Sequence, residues 1–137
     1  MKERNIFQNF LWFVKSVFYK VKGFFCKVKW FIQRGKRGYA ECDLWNFDHY
    51  LAKLFKNSLK DFADMTTGWP EPYESYEDWI KTLKDVALLP DCFDEDRLID
   101  WNKKLTRADW DKAQEDSEVA IHIFFDWMKE NFTKLWD

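Results

Sequence analysis

Between Asn5 and Gln33, large apolar residues recur in three columns spaced by seven. One is Phe7, Val14, Val21 and Val28, a second Phe10, Val17, Phe24 and Phe31, a third Leu11, Phe18, Phe25 and Ile32. Residues seven apart lie nearly above one another on a helix, and these columns are offset by three and four. They merge into one apolar face about 100° wide. Lys15, Lys22 and Lys29 run along one edge, and Lys20, Lys27 and Arg34 along the other. Their aliphatic stems cover the margins of the face while the charges reach water. A helix over this span is about 40 Å long, longer than a compact body built from the rest of the chain is wide. Part of its apolar face therefore needs a partner. A spacing close to 3.5 suits a coiling partner helix, so the seam Phe7, Phe10, Val14, Val17, Val21, Phe24, Val28 and Phe31 is expected to mediate self-association. Lysines on both flanks favour an antiparallel pair, or packing on acidic helices of a second subunit. Lys15, Lys20 and Lys22 break the apolar run well before the roughly 18 residues of a membrane-spanning helix, and no signal-peptide pattern is expected.

Charge divides the chain in the same place. Residues 1–38 carry ten Lys or Arg and one acid, whereas residues 39–137 carry twelve basic and 23 acidic residues, for a net charge of −2. The expected domains are a basic amphipathic helix with its basic turn (1–38) and an acidic helical bundle (39–137). The partners such a polarity admits are a second copy or a host protein, a phosphorylated small molecule, or an anionic membrane surface. Double-stranded DNA is disfavoured, because the acidic body repels its backbone.

With 4 Gly and 3 Pro, punctuation is too sparse for many strands. The expected fold class is all-α: a long N-terminal amphipathic helix followed by a compact bundle of about four helices. The turn Arg34–Gly38 is expected to stop the first helix. A second runs from Asp43, as N-cap, to Ala63 with Leu44, Phe47, Leu51, Leu54, Phe55, Leu59 and Phe62 inward. The loop Thr66–Pro72 is expected to be anchored by Trp69. A third helix starts at the Ser75 cap with Trp79, Ile80, Leu83 and Ala87 inward, and Pro90 ends it. A short fourth covers Asp94–Leu105. The last runs from the Thr106 cap to Leu135, with Trp110, Ala113, Ala120, Ile121, Phe124, Met128 and Phe132 on its stripe. The 14 Phe, 9 Trp and 5 Tyr exceed what one small core holds, so some belong to a contact surface. Cys26, Cys42 and Cys92 lack disulfide or metal spacing and read as free thiols in a reducing compartment.

The best ligand candidate is the basic turn: Arg34, Lys36 and Arg37, followed by Tyr39 and Trp45. Arginine forks grip phosphate at two points, and aromatic faces stack bases. The alternative is cations placed at a helix C-terminus by the dipole alone. Glu118, His122 and Asp126 share a helix face but leave a metal shell incomplete. Asp48 and His49 are sequence neighbours that cannot face each other on a helix, so a relay needs a third group from elsewhere. Asp61/Asp64 and Glu74/Glu77 have the spacing of Mg²⁺-holding acids in all-α nucleotide pyrophosphatases, a spacing common on any solvated helix. No phosphate loop, nucleophile motif or dinucleotide fingerprint is present. No cofactor, metal ligand or catalytic residue is expected.

The segment from Arg37 to Lys53 fits the pattern R-G-[YF]-x-x-x-D-x-W-x-x-D-x-Y-[LI]-A-K, followed by Gly68-Trp69-Pro70 and the tail Leu135-Trp136-Asp137. In these features residues 30–137 resemble small proteins of tailed bacteriophages and prophages. The resemblance implies a phage setting in a bacterial cytoplasm, or at the inner membrane, and supplies no catalytic residues. It implies a non-enzymatic binding or interaction protein that inhibits a host or defence component. The alternatives left open are a nucleotide-binding sponge using the basic turn, a peripheral membrane protein anchored by the N-terminal helix, and a metal-dependent nucleotide hydrolase.

Overall fold

The computed structural model describes residues 6–136, with side chains from residue 11 onward. Among the described residues there are four α-helices and no strand, as the all-α reading expects. The chain divides into two compact units, residues 1–47 and 48–137.

The first unit is dominated by α1 (Ile6–Arg37), 32 residues long, or about 48 Å. It passes through the expected stop: Gly35, Lys36 and Arg37 are helical. A glycine inside a helix costs only about 1 kcal/mol, so Gly35 does not end it. Gly38 does, at φ +80°, with its N–H donating to the Arg34 carbonyl at 2.9 Å. This is the left-handed cap that a residue without Cβ adopts freely. A 3₁₀ turn, Glu41–Leu44, follows. Asp43 is not the N-cap of the next helix. Its Oδ2 accepts the Ala40 N–H at 2.8 Å and the Arg34 Nε–H at 2.9 Å, which ties the turn back onto α1.

The second unit is built from α2 (Phe47–Met65), α3 (Tyr76–Val86) and α4 (Arg107–Asn131). Ser75 and Thr106 cap α3 and α4 as expected, each side chain accepting the N–H three residues on. The expected fourth helix over 94–105 is absent. Only Glu95–Arg97 forms a 3₁₀ turn, so three α-helices make this body rather than about four. Aspartates divert the backbone into local turns: Asp94 accepts the Asp96 N–H at 3.2 Å and Asp100 accepts the Asn102 N–H at 3.1 Å.

The core gathers Leu59 and Ala63 from α2, Trp79, Leu83 and Val86 from α3, Ala87, and Phe124 from α4. Trp79 packs on Tyr73 at 4.6 Å and Trp127 at 6.1 Å between ring centroids. Their polar atoms are satisfied: the Trp127 indole N–H donates to the Tyr73 hydroxyl, which donates to Asn131, whose amide returns to the Trp127 carbonyl. Trp69, expected to anchor its loop, keeps half of its surface exposed. The loop is pinned by the Tyr76 hydroxyl on the Thr66 carbonyl at 3.0 Å. Trp110 and Phe132, expected on the inner stripe of α4, are exposed; α4 ends one residue before Phe132.

Candidate functional site

The basic turn is an internally braced structure. The Arg34 guanidinium places Nε and Nη2 on the two oxygens of Asp43, whose side chain is buried. That guanidinium contact, with the Ala40 N–H, holds the Asp43 carboxyl down at about 2. Arg37 lies over the Tyr39 ring, 5.1 Å from its centroid. Lys36 is exposed, and Trp45 is almost wholly so. A phosphate approaching this turn meets an Arg34 whose charge is offset by Asp43, and Lys36 and Arg37 as the remaining cations.

The apolar face of α1 is open. From residue 11 to 32 eleven large apolar side chains of this face are each more than a third exposed, and Trp12 and Tyr19 are exposed on the other side. Val14, Val17, Val21, Phe24, Val28 and Phe31 of the expected seam are among the eleven; the side chains of Phe7 and Phe10 lie outside the described residues. At 3.6 residues per turn a seven-residue column drifts by about 20° per heptad. Over the length of α1 the columns fan out, and the face spans about 160° rather than about 100°. Lys15 and Lys22 border the Leu11 side, and Lys20 and Lys27 the Phe13 and Phe31 side. Lys29 also lies on the first border and is salt-bridged to Glu41 at 2.7 Å. No acidic residue occurs from position 4 to 40. Among the described residues, no helix is long and apolar enough to cross a membrane.

The second unit carries a cavity of about 560 Å³ between α2, the 90–97 segment and α4. The floor is aromatic. Phe55 and Phe93 pack on the buried Phe124 at 5.1 and 5.3 Å, and Phe125 stacks on Phe93 at 6.2 Å. Leu51, Ala52, Pro90 and Ile121 complete the apolar lining. The rim is a chain of charges. Against the expectation for helical neighbours, Asp48 in the first turn of α2 does reach His49, 3.4 Å from its Nδ1, and Asp94 lies 2.7 Å from its Nε2. Arg97 reaches Asp94 at 3.7 Å and Asp91 at 3.1 Å, and Lys56 also binds Asp91. Asp94 is thus the third group that the Asp48–His49 pair lacked in sequence. The Asp94 hydrogen bond, backed by Asp48, raises the His49 pKa above its ordinary value. An imidazole held between two carboxylates in this way bridges them as a clamp, and their contacts favour its protonated form.

Glu118 and Asp126 do not complete a site with His122: among the described residues no three His, Cys, Asp or Glu side chains converge as metal ligands would. Asp64 pairs with Lys84, and Glu77 sits in the first turn of α3, where the helix dipole favours an acid. The cavity was missed in sequence because its rim pairs residues 35 and 45 apart. The one available signal was the phase of Leu51, Phe55, Ile121 and Phe125 on their helices. Comparison of the chain with protein-family models, with curated proteins and with solved structures returned no match.

Proposed function

We propose that this is a non-enzymatic binding protein that docks on an anionic membrane surface, with α1 lying in the plane of the interface. The open face of α1 carries this reading: a broad, ring-rich arc, lysines on both margins and no acid along the helix. An interfacial helix sinks such a face roughly 5–10 Å into the headgroup–acyl boundary, and its lysines meet anionic headgroups at the edges. A two-helix seam uses a narrower stripe and normally places opposite charges along its margins. Here the margins are cationic throughout, which suits a surface of anions better than a second α1.

A second reading keeps one specific observation. The seven-residue repeat of Val14, Val21 and Val28 beside Val17, Phe24 and Phe31 is the register a partner helix needs. The acidic residues 48–137 of another copy, with twelve basic against 21 acidic residues, would tolerate the lysines. Vesicle flotation separates the two. Docking on lipid requires capture by phosphatidylglycerol vesicles, release by salt, and weaker capture by phosphatidylcholine. Self-association without lipid capture, seen by light scattering, would replace the membrane reading.

A further inference from the structure

The cavity in residues 48–137 has a floor of one chemistry and a rim of another, and together they describe a ligand. We propose that it binds a small ring-bearing organic anion: an aromatic body on Phe55, Phe93 and Phe125, and one carboxylate or similar group at the Lys53, Lys56 and Arg97 edge. The size fits, because about 560 Å³ lies within the roughly 300–1,000 Å³ of small-molecule sites. The floor favours a ring. Phe55 and Phe125 meet edge-to-face at 89° while Phe93 and Phe125 stack at 22°, so edges and faces are both presented, and Phe125 keeps half its surface exposed. Edge-to-face and offset contacts favour a ring beyond what buried area alone supplies.

The rim favours an anion. Three cations, Lys53, Lys56 and Arg97, and the His49 imidazole face three carboxylates, Asp48, Asp91 and Asp94. Two carboxylates are each shared: Asp91 between Lys56 and Arg97, and Asp94 between His49 and Arg97. Sharing leaves N–H donors over on both Lys56 and Arg97, since an ammonium has three and a guanidinium five. Lys53, one turn along α2 from His49 and exposed, has no carboxylate partner among the described residues. The Asp94 contact favours the charged form of His49. A ligand anion takes up the spare donors of Lys56 and Arg97 and pairs with Lys53; a ligand cation finds no such partner there.

The probes are 2-naphthoate and its cationic counterpart of like shape, 2-naphthylmethylammonium, titrated into the full-length protein by calorimetry. The expected result is one saturable site for naphthoate and at least tenfold weaker binding of the ammonium. Lys53→Glu, an exposed change that spares the core, should weaken naphthoate at least tenfold, as loss of a charged contact does. Ala52→Trp should block the site sterically. Val17→Asp/Phe24→Asp on α1 should leave it intact, which keeps this result separate from any failure of the membrane reading. Absence of saturable naphthoate binding at millimolar concentration would overturn the proposal. So would equal affinity for the two probes, wild-type affinity in Lys53→Glu, or loss of binding in the α1 variant.

Discussion

If α1 lies in a bilayer surface, Phe24 should count and Tyr19 should not, although the two are almost equally exposed, at 63% and 70%. Five residues along a helix is about 140° of rotation. It takes Phe24 into the apolar arc, close to its Phe31 edge, and Tyr19 to the opposite side. A phenylalanine offers roughly 200 Å², so sinking its exposed part removes about 125 Å² from water, worth about 3 kcal/mol at 25 cal/mol per Å². Alanine retains part of this, which leaves Phe24→Ala a loss of about 2 kcal/mol, or roughly 30-fold in partitioning. Tyr19→Ala should stay within about twofold. The charges act separately: each lysine near an anionic surface contributes about 1 kcal/mol. Lys15→Ala/Lys22→Ala should therefore cost about 30-fold on phosphatidylglycerol vesicles at low salt and almost nothing on phosphatidylcholine. Partition coefficients from flotation over a lipid titration measure all four. Equal losses for Phe24→Ala and Tyr19→Ala would show that exposure alone, without the face, governs binding, and the in-plane geometry would be abandoned.

Further perturbations probe the frame that holds these surfaces. Phe124→Ala empties a fully buried position under the cavity floor and should cost about 3–5 kcal/mol, read as a lower urea midpoint; an unchanged midpoint would contradict its place in the core. His49 has a raised pKa in the folded chain, so its pairing with Asp94 stabilises fully below the unfolded value of about 6.5 and fades as pH rises through the folded one. The side chain is 44% exposed, so the effect stays within the 0–1 kcal/mol of a solvated pair. The gap in melting temperature between wild type and His49→Gln should shrink from pH 6 to pH 9, and a gap that widens would reverse the assignment. Gly35→Ala and Gly38→Ala should have opposite signs. The first replaces a helical glycine with open space around it and should gain up to about 1 kcal/mol; the second forces a Cβ to φ +80° and should lose about 1–2 kcal/mol, both read by circular dichroism melts.

Those two glycines mark where sequence reading stops. Both lie in one basic segment, and both looked like parts of a single stop signal. The distinction is a backbone angle that only the completed helix end reveals: Gly38 supplies the N–H that closes on Arg34, whereas Gly35 continues the helical ladder. Signals confined to one turn were legible. Ser75 and Thr106 each reach an N–H three residues away, and Trp79, Leu83 and Phe124 recur in phase with their helices and are buried. Asp94 was read as part of a helix because its apolar neighbours Leu98 and Trp101 have helical spacing. Its side chain is committed instead to a local cap and to His49, 45 residues earlier. Periodicity carries no information about such a pairing. The same limit explains why α1 was legible as a surface and its occupant was not. Spacing shows that a face exists, but its width and the sign of its margins decide what it fits. A fan of about 160° with cations on both sides leaves little for a second α1 to complement. An anionic interface would complement both features at once, and would select residues 1–47, ten basic against three acidic, over the acidic remainder of the chain.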